Sequence, residues 1–163
     1  MTAPAGVTDG VGDAPPPQIR TLAVAVCMDG DRALVECGRD RVAGRSYYRA
    51  IGGGVEFGER AAEAVAREWR EELGLTLTEL RPLGVLENLF SYEGRPGHEI
   101  VFAYRGRVVE ARAYAQDAFT SVDPSGLRHE AVWVSLDALR QGTVPLYPDG
   151  LTALLDAPGS AEG

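Results

Sequence analysis

The chain has 163 residues, a formal net charge of −8 and 45% hydrophobic residues, enough for one domain with a substantial core. Its 16 basic residues are all Arg, and the acidic balance argues against binding nucleic acid or an anionic membrane surface, both of which need basic patches. No stretch of 18 or so consecutive apolar residues is present to span a membrane.

Residues 1–17, rich in Ala, Gly, Pro and Asp, have little to bury and read as a disordered arm. They lack the basic and apolar regions of a secretory signal. Two β-branched apolar runs follow, RTLAVAVCM over 20–28 and RALVEC over 32–37, separated by the hairpin signal Asp29-Gly30-Asp31. Pairing about that turn does not set Cys27 opposite Cys37, so no disulfide is expected between them. Reduced thiols and the absence of an export signal point to the cytoplasm. A polar, turn-like stretch over 38–45 precedes a short strand at 46–51, which leads into Gly52-Gly53-Gly54.

The spacing then predicts a helix over 59–73, free of Pro and Gly and stopped by Gly74. Strand-like patterning covers 76–89, a turn is expected at 92–97, and IVFAY at 100–104 is a strongly apolar strand. Residues 107–112 continue as a more polar strand or loop. Residues 113–128 are mixed and polar, in the manner of a long active-site loop. A short strand at 131–134 is followed by a helix at 136–141, with Ser135 as N-cap and Gly142 as stop. A last helix is expected at 148–156, and 158–163 should fray. A single domain over 18–157 results, of the α/β class, with a mixed sheet between helices.

The helix at 59–73 carries the most informative chemistry. Ala62, Val65, Ala66, Trp69 and Leu73 form an apolar stripe that should anchor it. Glu68, Glu71 and Glu72 stand at i, i+3 and i+4, on one face roughly a third of a turn from that stripe. Like charges so spaced repel by a few tenths of a kcal/mol per pair. A hard cation such as Mg²⁺ or Mn²⁺ relieves that repulsion and suits carboxylate oxygens. Glycines just before such a helix let backbone approach a metal or phosphate closely.

From Gly53 through Glu59 to Arg67-Glu68-Trp69-Arg70-Glu71-Glu72-Leu73-Gly74-Leu75, the spacing resembles the Nudix box, the signature of the Nudix hydrolase family. Its Gly, Glu, Arg-Glu, Glu-Glu and Gly landmarks all fall in register. Two positions depart from the usual pattern: Trp69 fills a slot usually held by an aliphatic residue, and Ile51 stands where many members have Pro. The resemblance covers roughly residues 19–156, although its specificity lies in the box. It implies an α/β/α sandwich that hydrolyses a diphosphate linkage in a nucleoside diphosphate derivative. It further implies Mg²⁺ (or Mn²⁺) as cofactor, held by Glu68, Glu71, Glu72 and the Gly53 carbonyl. Glu59 is expected to hold Arg67 or a water rather than the metal. A homodimer is a family-level expectation.

The general base is open, because the family draws it from the helix or from a distant loop. Glu130 is the preferred acid outside the box, where members often carry a further metal-binding glutamate. Glu99 is the second candidate, with Glu87 and Glu93 behind it. His98 and His129 each precede one of the first two. Tyr92 lies near the place where Nudix diadenosine-polyphosphate hydrolases carry a tyrosine. Arg45 and Arg49, just upstream of the glycines, suit phosphate oxygens because guanidinium binds them bidentately. The alternative function is a Nudix-fold module that binds nucleotides without hydrolysing them.

Overall fold

Asp29 and Arg32 face each other across a turn at Gly30, where the backbone takes φ 59°, and the first hairpin grows from that turn. It joins β1 (Ile19–Asp29) to β2 (Arg32–Asp40). The computed structural model describes residues 16–123 and 125–157; the expected arm, save Pro16 and Pro17, and the expected frayed end lie outside them. The hairpin register pairs Cys27 with Leu34, so the cysteines stand in different rows, and both are free thiols.

Beyond Leu34 the two strands part. β1 takes β4 (Ile51–Gly54) as its antiparallel neighbour, while β2 takes β3 (Arg45–Arg49). β3 and β4, joined through Ala50, therefore line the two sides of a wedge in the sheet. β6 (Arg95–Val108) runs parallel to β1 and carries β5 (Leu77–Tyr92) antiparallel on its outer edge. On its other edge β2 pairs with β8 (Arg128–Ser135), which pairs with β7 (Ala118–Val122). β9 (Leu146–Tyr147) closes the far side of β3 in parallel.

The period of two along a strand sorts these residues into two cores. Ala23, Ala25, Leu34 and Ala131 face α1 (Ala61–Leu73), meeting its Ala64, Val65, Trp69 and Leu73. Val24, Val26, Val35 and Val101 face the other way, against Leu139 of α3 (Leu136–Gln141) and Leu151 and Leu155 of α4 (Leu151–Asp156). The result is the α/β/α sandwich with a mixed sheet that the sequence led us to expect. No helix of the described residues is long and apolar enough to cross a membrane.

Several expected boundaries move, among them the turn expected at 92–97, which shrinks to 93–94 between β5 and β6. α1 starts at Ala61 because Arg60 is extended (φ −82°, ψ 150°) and serves as N-cap, so Glu59 stands in the loop before the helix. α4 starts at Leu151, after Gly150 in the left-handed region. The polar stretch over 113–128 is not one long loop: it holds most of α2 (Arg112–Ala115) and all of β7. Its anchors are long-range contacts that composition hides. Trp133 Nε1 donates to the Ala113 carbonyl at 3.1 Å, and the Tyr114 hydroxyl accepts from the Val108 amide at 2.9 Å. α3 keeps its expected caps, with Ser135 Oγ accepting from Ala138 N at 3.2 Å and Gly142 at φ 68°.

Candidate active site

α1 ends at Gly74 with φ 64°, whose N–H returns to the Arg70 carbonyl at 3.1 Å, a cap that suits glycine in the left-handed region. With its apolar side on the sheet, the helix turns Glu68 and Glu72 into the protein, at 5% and 8% exposure, and leaves Glu71 more than half exposed. β4 approaches so closely that a Cβ on Gly53 would lie 2.5 Å from Glu68 Cδ. A side chain there would need the space that the Glu68 carboxylate occupies, so Glu68 would have to move.

Arg67 ties the acidic loop to the acidic helix. Its Nε and Nη2 donate to the two oxygens of Glu59 at 2.9 and 3.0 Å, a bidentate pair. Nη2 also donates to the Gly54 carbonyl at 3.0 Å, and Nη1 reaches Glu68 at 2.8 Å and Glu71 at 3.2 Å. Glu59 is thereby held below the usual carboxylate range, with the Arg67 hydrogen bonds as the main cause. Glu72 moves the opposite way. Burial first, and then the nearby charges of Glu36 and Glu68, push its carboxyl up to about 8.

Glu36 is the acid that the sequence reading missed. It lies in β2 at 1% exposure, with the same alternation as Leu34, and so faces α1. Its Oε1 accepts from Arg49 Nε at 2.7 Å and also pairs with Arg49 Nη2. His129 Nδ1 stands 3.7 Å from the same oxygen, while His129 Nε2 is 3.2 Å from Asp123. The available signal was a single acid at an inward position of an otherwise apolar strand, which needs a buried partner.

The remaining candidates divide by face. Glu130 is opposite Cys37 in the β2–β8 register, one step out of phase with Ala131. Its side chain is therefore on the α3–α4 face, exposed, and away from the glutamate helix. Glu99 shares that face, 3.7 Å from Arg20 and 3.5 Å from Asn88 Nδ2. Glu87 pairs with His98 at 2.9 Å, and Glu93 accepts from the Arg41 amide at 2.8 Å. Arg45 sits opposite Asp40 at the far end of β3, four residues and so about 13 Å from Arg49. Tyr92 packs edge-on to Tyr47, with ring centroids 6.1 Å apart, and Tyr47 packs on Tyr147 in turn. Tyr92 and Glu99 both line a cavity of about 570 Å³ beside the end of β1.

Among the described residues, no three His, Cys, Asp or Glu side chains are already gathered as a cation would hold them. Arg67 lies against two of the candidate ligands. The donor chemistry nevertheless fits a hard divalent cation. Burial first, and then the neighbouring carboxylates, resist the ionisation of Glu72, and a positive ion is what such crowding favours.

The NUDIX domain family matches residues 17–154, from just before β1 into α4. The chain belongs to the NUDIX family. Over 56 residues this NUDIX chain is 48% identical to the nucleoside triphosphatase NudI of Escherichia coli and to that of Shigella flexneri. The match spans 33% of the chain and 40% of those relatives' length. A MutT NUDIX hydrolase from Burkholderia pseudomallei aligns with a TM-score of 0.63 and 27% identity, over 86% of this chain and 99% of that one. A NUDIX hydrolase from Nitrosomonas europaea, at 19% identity and TM-score 0.59 over 85% of this chain and 86% of that one, shows the shared fold.

Proposed function

We propose that this NUDIX chain is a pyrophosphohydrolase, which uses Mg²⁺ or Mn²⁺ to hydrolyse a diphosphate linkage in a nucleotide derivative. The observation that carries the reading is the pair Glu68 and Glu72, both buried, with Glu68 filling the space over Gly53 and Glu72 raised to about 8. A buried carboxyl perturbed as strongly as that of Glu72 is a candidate functional group. Glu68, Glu71, Glu72 and the Gly53 carbonyl would hold the cation. Once bound, it would withdraw charge from phosphoryl oxygens and activate a water for in-line attack.

The chain's own residues supply the rest. Glu59 and Arg67 fix the glutamates in place; Glu72 is the catalytic carboxylate. Arg49, and Arg45 farther along β3, offer guanidinium groups to the phosphates. Glu99, and with it the cavity it lines with Tyr92, lies on the sheet face away from the glutamate helix, so neither residue is given a contact with the substrate held there. Since NudI is named a nucleoside triphosphatase, nucleoside triphosphates are the first substrates to try, followed by dinucleoside polyphosphates and nucleotide sugars.

The purified chain should release a nucleoside monophosphate or inorganic phosphate from at least one of these when Mg²⁺ is present. Glu72→Gln should lower turnover by about 100-fold or more with an unchanged circular dichroism spectrum. Unchanged turnover would remove Glu72 from the mechanism. Thermal stabilisation by nucleotides without any product would favour the binding module instead.

A further inference from the structure

We infer that Glu36 is a positioning residue, which sets the Arg49 guanidinium beside the glutamate helix with its free edge toward the substrate diphosphate. This rests on the reading of Arg49 as a phosphate contact and names the group that makes the contact possible.

An ionised carboxylate taken out of water must be repaid by partners of good geometry. Glu36 sits between Leu34, Val35 and Cys37 in a strand where an aliphatic residue would be easier to bury. Its partners are specific. Across one edge of β2 it faces Arg49, and across the other it faces Ala131. His129 stands behind the carboxylate, 3.7 Å from Oε1, and is itself held by Asp123. Asp123 is fixed in turn by the amides of Ser125 at 2.9 Å and Leu127 at 3.0 Å. The acid is thus immobilised from the protein side.

Arg49 is not sealed in with it. The Glu36 side chain is 1% exposed and that of Arg49 is 40% exposed. Both contacts to Glu36 use Nε and Nη2 and converge on one oxygen. Arg49 Nη1 makes no hydrogen bond to a described residue. Arg49 is the cross-strand partner of Glu36, whose row also carries Leu34, and so the pair stands on the sheet face covered by α1. A buried ion pair that served only the core would close over both partners. Here one is locked and the other presents an open edge on the face of the sheet that carries α1.

The chemistry follows from the fork. A guanidinium gripped on its Nε side cannot rotate, so its outer N–H groups are aimed before phosphate arrives. A free arginine at the same place would have to give up its rotamer freedom on binding. Arg49 alone supplies the charge; Glu36 supplies the direction.

The test is binding of imidodiphosphate, an uncleavable diphosphate without a base, measured calorimetrically in Mg²⁺ with the full chain. Arg49→Ala should weaken binding about tenfold, and Glu36→Gln should weaken it by about 5- to 20-fold. The double variant should bind no more weakly than Arg49→Ala alone. Wild-type affinity in a folded Glu36→Gln, or a loss that adds to that of Arg49→Ala, overturns the inference and leaves the phosphate role of Arg49 standing. Wild-type affinity in Arg49→Ala overturns that role as well, and no binding by the unmodified chain overturns both. Should Glu36→Gln fail to fold, the unmodified chain still decides. The Arg49 Nε–H proton, assigned by its loss in Arg49→Lys, should exchange slowly with solvent and stay in place when imidodiphosphate is added. A rapidly exchanging Nε–H overturns the positioning role.

Discussion

The indole N–H of Trp69 donates to the carbonyl of Ile51 at 3.0 Å, joining the two positions at which the box departs from its usual residues. Trp69 is fully buried and Ile51 nearly so. The bond runs from the middle of α1 to the start of β4, two residues before Gly53. The larger side chain thus holds the glycine strand against the helix that carries the glutamates. Trp69→Phe removes the donor together with part of the buried ring and should lower stability by about 1–3 kcal/mol. Trp69→Ala opens a larger cavity and should cost about 3–5 kcal/mol. Urea unfolding at constant slope measures both.

Gly53 tests how closely β4 must approach. Gly53→Ala puts a methyl where the Glu68 carboxylate lies, so Glu68 has to move. We expect Mg²⁺ affinity and turnover to fall by about tenfold or more, with the unfolding midpoint changed far less. A midpoint collapse with intact affinity would mean that the glycine serves packing alone.

Arg67 pairs with Glu59, Glu68 and Glu71 at once. Arg67→Ala leaves the buried Glu68 without that partner and should cost about 1–3 kcal/mol in metal-free buffer, the range being reduced because the cluster is partly exposed. Mg²⁺ should then raise the melting temperature of the variant more than that of the unmodified chain. An equal rise in both would show that cation and arginine do not act on the same oxygens.

Glu72 gives a pH dependence of definite sign. Its carboxyl titrates near 8 in the folded chain and at the usual 4.5 when unfolded, so the folded state holds the proton more tightly. Stability from this group is intact below pH 4.5 and declines as pH rises toward 8. Without metal, Glu72→Gln should match the unmodified chain at pH 4 and exceed it at pH 8 by about 1–3 kcal/mol. Paired melting curves in a chelating buffer at the two pH values check this. A variant less stable at pH 8 reverses the assignment.

Glu130 supplies the contrast. It faces away from the glutamate helix, so Glu130→Gln should keep turnover within about twofold. A loss like that expected for Glu72→Gln would return Glu130 to the site and require β8 to be repositioned.

Much of this was legible in the chain itself. The glutamate spacing, the anchoring Val65, Trp69 and Leu73 and the Gly74 stop are local facts, although Ala64 rather than the expected Ala62 and Ala66 completes the buried row. A helix turns such local spacing into shared direction. The same holds for the Asp29-Gly30-Asp31 hairpin, whose register excluded the disulfide, and for the Ser135 cap. What misled was position across strands. Glu130 and Glu36 look alike as single acids in apolar strands, and the sequence favoured the wrong one as a partner for the helix.

Composition and periodicity therefore determined that one acidic helix follows a glycine strand and lies on a mixed sheet. They could do so because hydrogen-bonded neighbours along a helix are sequence neighbours too. Only the tertiary structure decided which acids from other strands meet that helix, why Trp69 is needed behind it, and that Arg49 rests on Glu36. Those outcomes depend on which rows of β2, β3 and β8 pair, and a shift of one residue would have turned every one of these side chains to the other face.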